Sequence, residues 1–165
     1  MVTKSEYHSP LGKITLAGEG DTLTGLWFTG QKHFGGEGIP TGEAPVFSVA
    51  QPWLDAYFAG GEPGELPPLA PQGTFFQKAV WALLLEIPRG ETATYGQLAD
   101  KLSRRWGRRT SPRAVGSAVG RNPISILIPC HRVVGADGSL TGYAGGLERK
   151  TWLLTLEGAN IMGRG

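Results

Sequence analysis

The chain has 165 residues, with one cysteine, 26 glycines, 12 prolines and a formal net charge of only +2. That length builds one domain or two small ones around a real core, and a single thiol excludes both an internal disulfide and a multi-thiolate zinc site. The longest apolar run, residues 79–85, is far short of the ~20 residues of a membrane span, and the first residues lack the apolar core of a signal peptide. These features predict a soluble, cytoplasmic protein.

The small net charge hides an asymmetry. Residues 1–73 sum to −5 and residues 74–165 to +7. Seven cations (Lys101, Arg104, Arg105, Arg108, Arg109, Arg113, Arg121) fall within residues 101–121, a window without an acid. Such polarity points either to an anionic partner, most often nucleic acid, or to a solvated basic turn.

In chain order, residues 11–17 and 23–28 are strand-like runs separated by the turn residues 18–21. Residues 35–42 form a Gly/Pro-rich loop. A helix is predicted over residues 47–59, with Val49, Trp53 and Tyr57 on one face. Pro52 either kinks this helix or sits in the first turn of a shorter one. Residues 60–73 hold four prolines and four glycines and are expected to be a linker. A division follows: an N-terminal supporting domain over 1–68 and a C-terminal domain over 74–165.

The second part opens with a capping box, Thr74 to Gln77, ahead of an apolar face made by Phe76, Val80, Leu83, Leu84 and Ile87. A second capping box, Thr94 to Gln97, opens a short helix expected to end near Leu102. Beyond the basic stretch, Ser111 and Pro112 supply an N-cap and a first-turn proline for a helix over 113–121. Two short helices joined by a turn suggest a helix-turn-helix. The second is unusual because Ala114, Gly116, Ser117, Ala118 and Gly120 are all small. Two interior glycines cost roughly 1 kcal/mol each, so either close helix packing or close approach to a DNA groove must favour them. Residues 124–128 then read as an apolar strand, 141–146 as a glycine-rich loop, and 147–157 as a last amphipathic helix carrying Leu147, Leu153, Leu154 and Leu156.

Cys130 is the only thiol and is followed by His131. A free thiol titrates near pH ~8.5 and needs a base or cation to become a nucleophile. In an extended stretch neighbouring side chains face opposite ways, so His131 would act across a turn or through a water. Buried and inert is the alternative for a lone cysteine. Pro129 rigidifies the approach to Cys130, Asn122 stands at a helix stop where it can bind the following backbone, and Glu157 is available to orient an imidazole.

The stretch NPISILIPCHRV (122–133) resembles the signature of the O6-alkylguanine-DNA alkyltransferases, also called methylated-DNA–protein-cysteine methyltransferases. FQKAVW (76–81), GETATYGQLA (90–99), RAVG (113–116), GYAGG (142–146) and Trp152 through Glu157 and Gly158 follow in the family's order, and SPLGKITL (9–16) matches loosely. The resemblance implies an α+β protein, with a small ribonuclease-H-like N-terminal domain and a mainly helical C-terminal domain carrying a helix-turn-helix. It implies direct-reversal DNA repair: irreversible, single-turnover transfer of the alkyl group from O6-alkylguanine, less so from O4-alkylthymine, after nucleotide flipping. Cys130 resembles the acceptor, His131 with Glu157 the water-bridged relay that takes its proton, and Asn122 the brace behind the active-site turn. Tyr143, the backbone at Ala144, Val133, Pro129 and Ser125 are the implied substrate contacts. Arg113, resembling the arginine that replaces the flipped base, joins Tyr95, Ala114, Gly116, Ser117, Arg121 and Arg132 as the implied DNA contacts in the minor groove, whose ~6 Å width favours a helix of small residues. The implied partner is double-stranded DNA with alkylated guanine, bound by a monomer, with no cofactor and no membrane. With only His8 and His33 in the N-terminal part, no metal is expected.

Two features depart from the family pattern. Ala144 replaces a hydroxyl residue of some relatives. Residues 101–111 are longer and more basic than the usual turn, which suggests extra phosphate contacts with Trp106 packed on the duplex or on the domain. A non-catalytic lesion-binding relative, a helix-turn-helix regulator and a cysteine hydrolase are the competing readings. The first lacks the acceptor cysteine, the second leaves Cys130 as core, and adjacent Cys-His fits no hydrolase arrangement.

Overall fold

The structure, a computed structural model, describes residues 1–161, which separate into two compact units. One comprises residues 1–72 and 123–127; the other comprises residues 73–122 and those from 128 onward.

The first unit is a three-stranded antiparallel sheet, β1 (Thr3–Ser9), β2 (Gly12–Glu19) and β3 (Thr22–Phe28), in the order β1-β2-β3, with one helix, α1 (Phe47–Phe58). β2 and β3 follow the expected apolar runs, and Ile14, Leu16, Leu23, Leu26 and Phe28 are fully buried. β1 is not signalled by composition: its residues are mostly polar and half-exposed, as suits an edge strand whose outer backbone edge meets residues 40–42 through Lys4. Helix α1 runs unbroken through Pro52. Its buried face is Phe47, Ala50, Trp53, Leu54 and Tyr57, whereas Val49, expected on that face, points outward.

Two segments expected elsewhere close this unit. Residues 68–70 are not a free linker: Leu23 N–H donates to the Pro68 carbonyl and Ala70 N–H to the Leu23 carbonyl, so they run parallel to β3. Residues 124–128 do not form a strand. Ile124 makes one bridge to Leu26, and the chain then turns. Leu127 N–H donates to the Ser125 carbonyl at 2.9 Å around Ile126, whose φ is +73°. This is a γ-turn of positive φ, a sparsely populated conformation for a β-branched residue.

The second unit is mainly helical: α2 (Phe75–Leu84), β4 (Ala93–Thr94), α3 (Tyr95–Trp106), α4 (Pro112–Gly120), a 3-10 turn (Cys130–Arg132), β5 (Val133–Val134) and α5 (Leu147–Leu156). Both capping boxes form with reciprocal hydrogen bonds, Thr74 with Gln77 and Thr94 with Gln97. Ser111 caps α4 by accepting from Ala114 N–H, with Pro112 in the first turn. Helix α3 continues a full turn beyond the expected stop at Leu102 and ends where Gly107 adopts the left-handed conformation (φ +68°). Arg104 and Arg105 are therefore helical, and the basic turn shrinks to residues 107–111. Helices α2, α3 and α4 pack on one another, with the Trp81 indole N–H donating to the Ala118 carbonyl at 2.8 Å. No helix among the described residues is long and apolar enough to cross a membrane.

Candidate active site

Cys130 and His131 occupy a 3-10 turn, not an extended strand, and its approach is fixed by backbone geometry. Pro129 (φ −81°, ψ 65°) is the centre of an inverse γ-turn, closed by Cys130 N–H on the Ile128 carbonyl at 2.8 Å. The same carbonyl accepts from the Asn122 side-chain amide at 2.8 Å. Asn122, buried just beyond α4, thereby ties the end of that helix to the peptide that aims the thiol. Cys130 is 5 % exposed.

Behind the cysteine lies a buried ionic array. His131 Nε2 and Glu157 Oε2 are 2.7 Å apart, and both side chains are wholly buried. Arg132 Nε donates to Glu157 Oε1 at 2.8 Å, its Nη2 to Oε2 at 3.1 Å and its Nη1 to the Ile87 carbonyl at 2.7 Å. The fork-shaped contact holds Glu157 ionised and acceptor-only, so Nε2 carries the imidazole proton. Nδ1 is then the basic nitrogen, and it is buried without a hydrogen-bond partner among the described residues. Burial pushes the His131 pKa below its ordinary value; the Glu157 hydrogen bond opposes that shift, and the charges of Arg132 and Lys150 add to it. Arg132 thus offsets the charge of Glu157, and it adds a small push to the burial that disfavours the imidazolium form of His131. Its donors are committed inside the unit, although the family resemblance grouped it with the DNA contacts.

Sequence reasoning missed Lys150. It lies in α5, fully buried, and Nζ donates to the carbonyls of Val133 (2.6 Å), Thr141 (2.8 Å) and Gly142 (3.3 Å). One ammonium therefore ties the start of β5 to the loop over 141–146 that carries Tyr143 and Ala144, both half-buried. Burial lowers its pKa to about 8, and a negative charge on Cys130 would raise it. Tyr95, half-buried at the start of α3, is also within electrostatic reach of Cys130. Burial raises its pKa, and a hydrogen bond with the Thr141 side chain partly offsets that rise. The sequence hint for Lys150 was a cation within an apolar helix pattern, which reads equally well as a solvated residue.

Val133 and Pro129 are buried around the cysteine turn. Ser125 is buried in the first unit, where its N–H donates to the Leu26 carbonyl at 3.1 Å. On α4, a Cβ at Gly116 would meet the Tyr95 ring at 3.5 Å, an ordinary contact, so packing against Tyr95 does not itself demand glycine there. Arg113, Ser117 and Arg121 are exposed, and a Cβ on Gly120 would meet nothing, so that face is flat, small and basic. Among the described residues no group of three His, Cys, Asp or Glu is placed to hold a metal.

Fold and site define a two-part protein in which a helix-turn-helix stands beside a histidine-backed cysteine. Residues 2–66 match the family description "6-O-methylguanine DNA methyltransferase, ribonuclease-like domain", and residues 75–159 match "6-O-methylguanine DNA methyltransferase, DNA binding domain". The chain is 48% identical over 149 residues to the methylated-DNA–protein-cysteine methyltransferase of Mycobacterium tuberculosis, covering 90% of this chain and 88% of that one. It is 47% identical over 154 residues to the protein of the same name from Methanosarcina acetivorans, covering 93% and 96%. The crystal structure of Mycobacterium tuberculosis OGT in complex with DNA superposes with a TM-score of 0.84 at 45% identity, covering 94% of this chain and 92% of that one. The chain belongs to the 6-O-methylguanine DNA methyltransferase family.

Proposed function

We propose that this protein repairs DNA by direct reversal, moving the alkyl group of O6-alkylguanine onto the sulfur of Cys130. The observation that carries the reading is the His131 imidazole: its Nε2 hydrogen-bonds Glu157, and Nδ1 is left as a buried base in the residue that directly follows the protein's only thiol.

The thiol proton passes to His131 Nδ1, directly or through one water. The resulting imidazolium is stabilised by the Glu157 carboxylate, as a buried acid steadies the histidine of a hydrolytic triad. The sulfur attacks the alkyl carbon, a C–S bond forms, and the C–O bond breaks with its electron pair going to guanine O6. Donors aimed at that oxygen stabilise its developing charge; the Tyr143 hydroxyl and the amides near Ala144 fill that role, and the purine takes up a proton as it leaves. Lys150 is a positioning residue, fixing the loop of Tyr143 relative to β5. The product thioether has no low-barrier return to thiol, so each molecule acts once.

Because the alkylated oxygen lies inside the duplex, the nucleotide is flipped before reaction, and a poorly paired lesion costs least to extrude. Arg113 fills the vacated space, Tyr95 presses the neighbouring phosphate, and the face made by Ala114, Ser117, Gly120 and Arg121 lies in the minor groove. Residues 1–68 support this reactive domain of residues 74–165, and the protein works as a monomer in the cytoplasm, where DNA is accessible. The test is to incubate it with duplex carrying labelled O6-methylguanine. Label is expected on the wild type at one per chain and absent from Cys130→Ala; repeated turnover, or no transfer, contradicts the reading.

A further inference from the structure

The alkyl-transfer reading employs two of the seven cations between residues 101 and 121, Arg113 and Arg121. The structure sorts the other five. Lys101 and Arg105, four apart on one side of α3, both hold Glu86: Lys101 Nζ at 3.2 Å, and the two Arg105 amino groups at 2.6 and 2.7 Å. Arg105 foremost, with Lys101, holds the Glu86 carboxyl down at about 2, so both cations are engaged by one carboxylate and this side of the helix is left at a net +1.

Arg104, Arg108 and Arg109 are exposed and have no carboxylate partner among the described residues. Arg104 and Arg109 line a groove of about 910 Å³ between α3 and α4, together with Ser103, Ser111 and Ala114; Asp100 is the acid on its wall. The end of α3 and the turn after it, which carry these arginines, are held in place. Gly107 reverses the chain with φ +68°, and Thr110 N–H donates to the Ser103 hydroxyl at 2.9 Å. The Arg108 guanidinium sits 5.5 Å above the Trp106 ring, which packs against Phe75 and Phe76 with centroids 5.7 and 5.5 Å away. Trp106 therefore packs on its own domain. Stacking restricts Arg108 before any partner arrives, which lowers the entropy lost on binding.

We propose that Arg104, Arg108 and Arg109 form a phosphate-holding flank that extends the grip on duplex DNA beyond α4. Guanidinium forks match phosphate oxygens in charge and geometry, and the groove already shares its wall with Ala114 of the DNA-facing helix. This inference rests on the DNA-repair reading above and deepens it: the helix-turn-helix reads the lesion site, and the arginines at the end of α3 and in the 107–111 turn add sequence-independent affinity.

The experiment measures affinity for undamaged duplex across a salt series, for wild type, Arg104→Ala/Arg108→Ala/Arg109→Ala, the same triple changed to Lys, and Lys101→Ala/Arg105→Ala. Each phosphate contact contributes about 0.9 to the slope of log affinity against log salt. The alanine triple is expected to flatten that slope by about 2.7, so that between about 50 and 200 mM salt it loses about 40-fold less affinity than wild type. The lysine triple and the Lys101/Arg105 double are expected to keep the wild-type slope, and Arg109→Ala alone, the least disruptive change, to flatten it by about 1. An alanine triple and an Arg109→Ala variant with the wild-type slope overturn the proposal, and so does a Lys101/Arg105 double that flattens it as much as the triple. Methyl transfer by the wild type is followed in parallel: its absence contradicts the repair reading, whereas an unchanged slope with intact transfer contradicts only the flank.

Discussion

The two units bury their polar atoms in opposite ways. Among the described residues, the buried polar side chains of the first unit are Thr15, Gln31 and Ser125, all neutral. Those of the second are Asn122, His131, Lys150 and Glu157, three of them ionisable. A buried charge costs far more than a buried methylene releases unless it is paired and hydrogen-bonded. The second unit meets that cost locally: Glu157 takes His131 and Arg132, and Lys150 takes three carbonyls. The first unit is held by apolar burial in regular elements. The second accepts an electrostatic burden around one thiol, which is the expected signature of a site whose basicity is tuned by its surroundings.

The largest effect is expected from Glu157→Ala, which strands His131 and Arg132. We expect a loss of about 4 kcal/mol in urea unfolding and loss of methyl transfer; a loss below about 1 kcal/mol would mean that the array is not integral. Lys150→Met keeps the side chain's bulk and leaves three carbonyls without their donor, for an expected loss of about 3 kcal/mol, with slower transfer because the loop of Tyr143 is no longer tied. In the first unit, Leu54→Ala is expected to cost a similar ~3 kcal/mol through its cavity, yet to leave the rate of Cys130 alkylation by iodoacetamide unaltered. A changed rate there would erase the distinction between the units.

A pH series gives a smaller effect. His131 has a depressed pKa in the folded protein, so the unfolded chain binds its proton first as pH falls through about 6.5. Stability is therefore complete above that value and lost below it, by at most about 1.4 kcal/mol per pH unit. Lys150 is depressed as well, to about 8. Between pH 8 and the ordinary lysine value of 10.5 the unfolded chain again binds more protons, and stability rises with pH. Unfolding free energies of wild type, His131→Gln and Lys150→Met across pH check both slopes, each of which vanishes with its residue. Smallest of all, Thr94→Ala removes a cap whose loss costs about 1 kcal/mol, measured by the shift in urea midpoint.

How far the sequence could be read follows from the range of the interactions. Capping boxes at Thr74 and Thr94, the Ser111 cap and the apolar strands β2 and β3 depend on residues within a few positions of each other, and they form as expected. The end of α3 was hidden because arginines at 104 and 105 carry no apolar period, and only Gly107 marks the stop. Edge strand β1 has too little buried surface to leave an alternating pattern. The segment over 124–128 is apolar enough for a strand, but successive γ-turns at Ile126 and Pro129 bend it. At the candidate site, Cys130, His131, Asn122 and Glu157 stand out in the sequence through the family resemblance, and the structure pairs His131 with Glu157 and ties Asn122 to the peptide before Pro129. Lys150 does not stand out, because its burial is decided by carbonyls of Val133, Thr141 and Gly142, eight to seventeen residues away. Nor does the commitment of Arg132 to Glu157 and Ile87, for the same reason.

In the proposed reaction, the buried array of His131, Glu157 and Arg132 makes Cys130 a nucleophile. Single-turnover methyl transfer from O6-methylguanine duplex, compared between wild type and His131→Gln at neutral pH, tests it most directly, with an unfolding curve taken on the same samples. General-base assistance supplies about 100-fold or more, so the variant, still folded around the intact Glu157–Arg132 pair, is expected to transfer at least about 100-fold more slowly. A folded His131→Gln protein that transfers within a few-fold of the wild-type rate would contradict a general-base role for His131.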